Sequence, residues 1–200
     1  MQIESICVTN HICGGFEQVS MGRNAETKSL PFLSVVQSTH GSYCIALDDG
    51  PALETGEMGV FVAPRARMQH LLHIPDERDG TMSAQWIFLD VEVNRRYRLD
   101  DLFLFPTVLP EKYHQDIYVL LRRIAATERL TDRLPDIHRL LCILLEVPVW
   151  YSARLTIFAR LSRRGSSKIL SAVKLLWSVI MSCSIVSVPV SLTVRLFLSR

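Results

Sequence analysis

Histidines and aromatic residues are the side chains of this chain best suited to chemistry, and their spacing decides which chemistry is open to them. His70 and His73 stand three apart, with Arg67 close by. Residues three apart on a strand point to opposite faces, so these two imidazoles cannot share a ligand there. A closed metal site needs three or four converging ligands, and the chain has no His-x-His pair followed by an acid and a further histidine. The expectation is therefore no metal cofactor, with His70 and His73 as rim or turn residues. A metal-binding enzyme using His40, His70 or His73 is the competing reading. Trp86 and Phe88 lie two apart, so on a strand their rings share one face. Such a face can stack on a sugar ring or hold a cation; equally, it can fill the interior of a small barrel.

No nucleophile is set up for covalent catalysis. There is no G-x-S-x-G elbow. The five cysteines, Cys7, Cys13, Cys44, Cys142 and Cys183, are scattered without a C-x-x-C pair. Neither a disulfide framework nor a thiolate zinc site is supported, and reduced thiols in a cytoplasmic protein are expected. The N-terminus, MQIESICVTNHICGGFEQ, has an early acid and no long apolar core, unlike a secretory signal. The reading at this point is a binding domain and not an enzyme.

Short β-branched and aromatic runs must position these residues. Strands are predicted at Leu33–Gln37, Tyr43–Leu47, Met58–Ala63, Met68–Ile74 and Ala84–Val91. Turn signals separate them: Asp48-Asp49-Gly50-Pro51, Thr55-Gly56-Glu57 and the polar loop from Pro75 to Gly80. Gly56 is expected at positive φ, and Pro64 ends its strand. Strands this close together indicate a sandwich or barrel. In Ala84–Val91, Gln85, Ile87 and Leu89 face one way, and Trp86, Phe88 and Asp90 the other; bulk on both sides marks a central strand. Residues 1–30 read as an arm with one strand.

From Glu111 the apolar period becomes helical. Tyr113, Ile117, Leu120, Leu121 and Ile124 form one stripe, behind Pro110 at a first-turn position. A second helix from Pro135-Asp136 carries Ile137, Leu140, Leu141, Leu144 and Leu145, and the link Thr131–Leu134 makes an antiparallel pair. The net charge of +2 conceals an imbalance: residues 1–146 hold 14 basic and 20 acidic side chains, whereas 147–200 hold 8 basic and no acidic ones. Leu175–Val194 has no charged residue and is long enough to cross a bilayer. Its five serines and Pro189 dilute its apolar character, so a membrane partner is not expected; a membrane-anchored sensor through 175–194 is an alternative.

Three segments in order, GEMGVFVAPRARMQH (56–70), AQWIFLDV (84–91) and LFLFPTVLPEKYHQDIYVLLRRI (102–124), resemble the N-terminal sensing and dimerisation domain of AraC-type transcriptional regulators. The resemblance covers roughly residues 30–147. It implies a mainly β fold with C-terminal helices: a cupin-like barrel (double-stranded β-helix or jelly-roll) over 31–110, then a helical hairpin over 111–147. It further implies a small-molecule effector inside the barrel, with Tyr43, His70, Trp86 and Phe88 as ligand-binding residues. Two copies would pair through Ile117, Leu121, Ile124, Leu141 and Leu144. Asp48-Asp49 stands where arabinose-sensing members carry a basic residue, and Leu71 where they carry a polar aromatic; both point away from arabinose. Family members contact DNA through two helix-turn-helix units, which are not recognisable in residues 148–200. The abrupt loss of acids there fits translation leaving its native frame near Glu146–Val149.

Overall fold

The structure, a computed structural model, describes residues 3–147. Readings that fall on 148–200, including the 175–194 span and the shifted frame, lie outside the described residues. Nine strands run in chain order: β1 (Ile6–Ser20), β2 (Asn24–Ser29), β3 (Leu33–His40), β4 (Ser42–Leu47), β5 (Leu53–Glu54), β6 (Val60–Ala63), β7 (Met68–Ile74), β8 (Thr81–Val93) and β9 (Tyr97–Arg98). A short helix α1 (Leu99–Leu102), a 3-10 turn (Glu111–Tyr113), α2 (His114–Ala126) and α3 (Leu130–Glu146) follow. The fold is mainly β, with two antiparallel sheets and C-terminal helices.

One sheet has the order β1-β8-β3-β6, with β9 added beside β8; the other has the order β2-β7-β4-β5. The chain passes from the first sheet to the second at Gly41, whose φ of +72° suits a residue without Cβ. β8 lies between β1 and β3, as the bulk on both its faces predicts. Ile87, Leu89, Val91 and Val93 join a core with the helices, whereas Met82, Ala84, Trp86 and Phe88 face a second core shared with Val36, Tyr43, Ile45, Phe61 and Leu71. The first sheet is thus covered twice, by helices on one side and by the second sheet on the other.

Between helices and sheet the burial is not wholly apolar. The Gln37 amide donates to the carbonyls of Met58 (2.8 Å) and His114 (2.9 Å) and accepts from Gln85 (2.9 Å). The Gln85 amide also reaches the Tyr118 carbonyl at 3.3 Å. This ladder ties β3 and β8 to the start of α2. Buried amides are tolerated because both ends find partners.

Three expectations need correction. Residues 1–30 are not an arm with one strand: β1 runs along β8 from Ile6 to Ser20, and β2 pairs with β7. Gly14 and Gly15 weakened the alternation that marks a strand, yet both sit in register with Trp86 and Gln85. The Thr131–Leu134 link is part of α3, which begins at Leu130. Pro135 sits early in that helix, where its missing N–H removes one bond to the Thr131 carbonyl. Finally, Ile117, Leu121, Ile124, Leu141 and Leu144 are each at most 3% exposed within a single chain. Their stripe is taken up by the chain's own sheet and helix pair, so they cannot be the contact between copies. Among the described residues, no helix is long and apolar enough to cross a membrane.

Ile124→Ala should therefore lower the stability of the single chain by about 2–4 kcal/mol. Urea unfolding at two widely separated protein concentrations checks this; the loss is expected to be the same at both.

Candidate small-molecule site between the sheets

The inner face of β8 carries Trp86 and Phe88 because alternate residues of a strand share a side. Their rings lie 6.3 Å apart and 24° from parallel. Phe88 continues the row to Phe32, with centroids at 6.5 Å and planes 11° apart, and Phe16 of β1 tilts against Trp86 at 6.2 Å. All four rings are half-buried. Gly14 makes room for this row. It sits opposite Trp86 in register, and a Cβ there would come within 2.9 Å of the indole Cζ2. The indole therefore lies across the backbone of β1.

β1 and β2 are the edge strands of their sheets and are joined by residues 21–23. On this side Ile12, in register with Phe88, is 48% exposed. The wall contributed by the second sheet is Tyr43, Gln69, Leu71 and His73. Tyr43 is buried, edge-on to Phe61 (5.3 Å) and to His73 (5.0 Å). Burial, with Glu26 adding a smaller effect, raises its phenol pKa well above the usual 10.0.

Of the four ligand-binding residues expected from the sequence, Tyr43, Trp86 and Phe88 line this inter-sheet space, though Tyr43 is largely enclosed. His70 does not. It points out of the opposite face of β7, where its Nδ1 lies 3.1 Å from the Thr27 hydroxyl. Leu71 next to it turns inward, which forces His70 outward. His73 is the inward histidine, which the sequence offered as a rim or turn residue or, in the competing reading, as a metal ligand. Sequence reasoning missed Phe16, Phe32, Ser34 and Gln69. Ser34 and Gln69 are fully buried, and the Ser34 Oγ and both polar atoms of the Gln69 amide lack hydrogen-bond partners. Their signal was parity alone: Ser34 precedes the inward Val36 by two residues, and Gln69 precedes Leu71 by two.

His40, His70 and His73 have separate neighbours, and they do not converge. His40 instead meets Asp79 at 3.0 Å and Asp76 at 3.9 Å. These acids are already engaged. Arg78 binds Asp76 at 2.7 Å and holds its carboxyl far below the ordinary carboxylate range, while Thr81 donates to Asp79 and lowers its pKa too. A hollow of about 450 Å³ lies between the β1–β8 pairing and α2, edged by Gln18, Ser83, Tyr118 and the Glu17–Arg122 ion pair.

No protein-family model and no curated protein matches this chain. The functional reading rests on the arrangement of its own side chains.

The buried phenol of Tyr43 makes a prediction at alkaline pH. Its folded pKa is raised, so its contribution to stability is complete below pH 10 and is lost as pH rises, the unfolded chain ionising first. From pH 10 upward, wild type should lose up to about 1.4 kcal/mol more per pH unit than Tyr43→Phe. Urea titrations of both proteins between pH 8 and 11 measure the difference.

Proposed function

We propose that this chain is the effector-sensing domain of an AraC-type transcriptional regulator, which receives a small molecule between the sheets of a cupin-like barrel. It reaches DNA only through a helix-turn-helix domain, which is not recognisable in residues 148–200, and is not itself an enzyme. One observation carries the reading: a row of four half-buried aromatic rings, two of which, Trp86 and Phe88, lie on the strand that also packs against the helices. The ordered resemblance of residues 56–70, 84–91 and 102–124 to that family's sensing domain supports it.

The physical mechanism is differential affinity. An effector changes an equilibrium only as far as it binds one arrangement better than another. A molecule resting on Trp86 and Phe88 presses on β8, and the other face of β8 packs against the helices. Gln85, between those two rings' positions and that of Ala84, is bonded to Gln37 and to the Tyr118 carbonyl of α2. Small displacements of β8 are thereby felt by the helix pair without a long relay. Pairing of two copies belongs to the same proposal, through surfaces other than the five buried helix positions. In this reading the protein works in the cytoplasm.

Thermal-shift screening against a panel of small metabolites tests the proposal. A stabilising metabolite should lose roughly fivefold to a hundredfold in affinity in Trp86→Ala, since aromatic stacking in a desolvated site is worth about 1–3 kcal/mol. Fused to a helix-turn-helix domain, the chain should make reporter transcript levels respond to the same metabolite. Binding that is indifferent to Trp86, or transcripts that do not respond, would contradict the reading.

A further inference from the structure

The inter-sheet strip carries more than aromatic rings. Ser34 and Gln69 are both 0% exposed, yet the serine hydroxyl and both ends of the glutamine amide have no partner. They come from opposite sheets. Ser34 pairs with Phe88, Gln69 pairs with Leu47, and both rows lie at similar distances along the chain from the Gly41 turn that joins the sheets. Both side chains face the space between the sheets, Ser34 in register with Phe88 and Gln69 on the face of β7 that carries Leu71. Under the helices, by contrast, the Gln37 amide is engaged at both ends and the Gln85 amide nitrogen donates to Gln37 and to the Tyr118 carbonyl. An unengaged buried amide costs stability, and a partner that arrives with a ligand removes that cost.

Chemistry narrows the partner. A glutamine amide offers one acceptor oxygen and one donor nitrogen side by side. A carboxylate would supply acceptors only and an ammonium donors only, leaving one end of Gln69 unmet. A lactam or primary carboxamide presents a carbonyl and an N–H together and satisfies both ends in one two-bond ring. Glu26 is paired with Lys28 at 2.9 Å and Asp90 with Arg98, so among the described residues these charges on the strands around the strip are already matched. The near-parallel planes of Trp86, Phe88 and Phe32 favour a flat molecule over a puckered polyol. Resting on the sensing role proposed above, we infer that the effector is a neutral planar compound with a lactam or carboxamide edge, held by Gln69 and Ser34 and stacked on the aromatic row.

Calorimetry on the full chain with 2-pyridone, benzamide, benzoate and L-arabinose decides the matter, using wild type, Gln69→Met and Trp86→Ala. Methionine keeps the length of glutamine and removes both polar ends. Gln69→Met should fold and, without ligand, melt at least about 2 °C higher than wild type. 2-Pyridone or benzamide should bind wild type, lose at least about tenfold in Gln69→Met, and bind more tightly than benzoate or arabinose. Equal binding in Gln69→Met, or preference for benzoate or arabinose, overturns the ligand class. If that binding still depends on Trp86, the sensing role stands and only the ligand class falls. Failure of all four probes to bind wild type also overturns the ligand class, and the metabolite panel then judges the sensing role independently.

Discussion

Everything in this fold depends on β8 being buried on both faces. Thirteen residues of one strand serve two cores, with alternate side chains directed to the helices and to the second sheet. A shift of one residue in its register would exchange the two sets, placing Trp86 and Phe88 under the helices and Ile87 and Leu89 between the sheets. Pairing with β1 and β3 along most of its length prevents that slip. The same alternation lets β8 touch both the aromatic strip and the helix pair.

Two groups of buried polar side chains divide the molecule by role. Between sheet and helices, Gln37, Gln85 and backbone carbonyls satisfy one another, fixing how α2 sits on the sheet. Between the sheets, Ser34 and Gln69 are left unsatisfied. The first group stabilises because every donor has an acceptor; the second is a cost the unliganded fold carries.

Much of the architecture was legible in the sequence. Bulk on both faces of Ala84–Val91 predicted a central strand, Gly56 adopts the expected positive φ of +71°, and the stripes of both helices are buried as their spacing implies. What those stripes bury against was not legible. Periodicity shows that a face is apolar and says nothing of its partner, so Ile117 and Leu144 read equally well as contacts between copies. β7 failed for a related reason. Met68–Ile74 alternates weakly, and only the inward position of Leu71 reveals that Gln69 and His73, and not His70, face the interior. β1 was hidden by its glycines, whose small size is what lets Trp86 lie across it.

The central claim is that the aromatic row on the inner face of β8 is a surface for a small molecule and not merely a filled core. Fluorine NMR of protein labelled with 5-fluorotryptophan, with the Trp86 signal assigned by its loss in Trp86→Phe, tests this most directly. On titration with 2-pyridone, the account predicts a saturable shift of the Trp86 resonance. A Trp86 signal that stays fixed while another tryptophan moves, or while binding is detected calorimetrically, would contradict it.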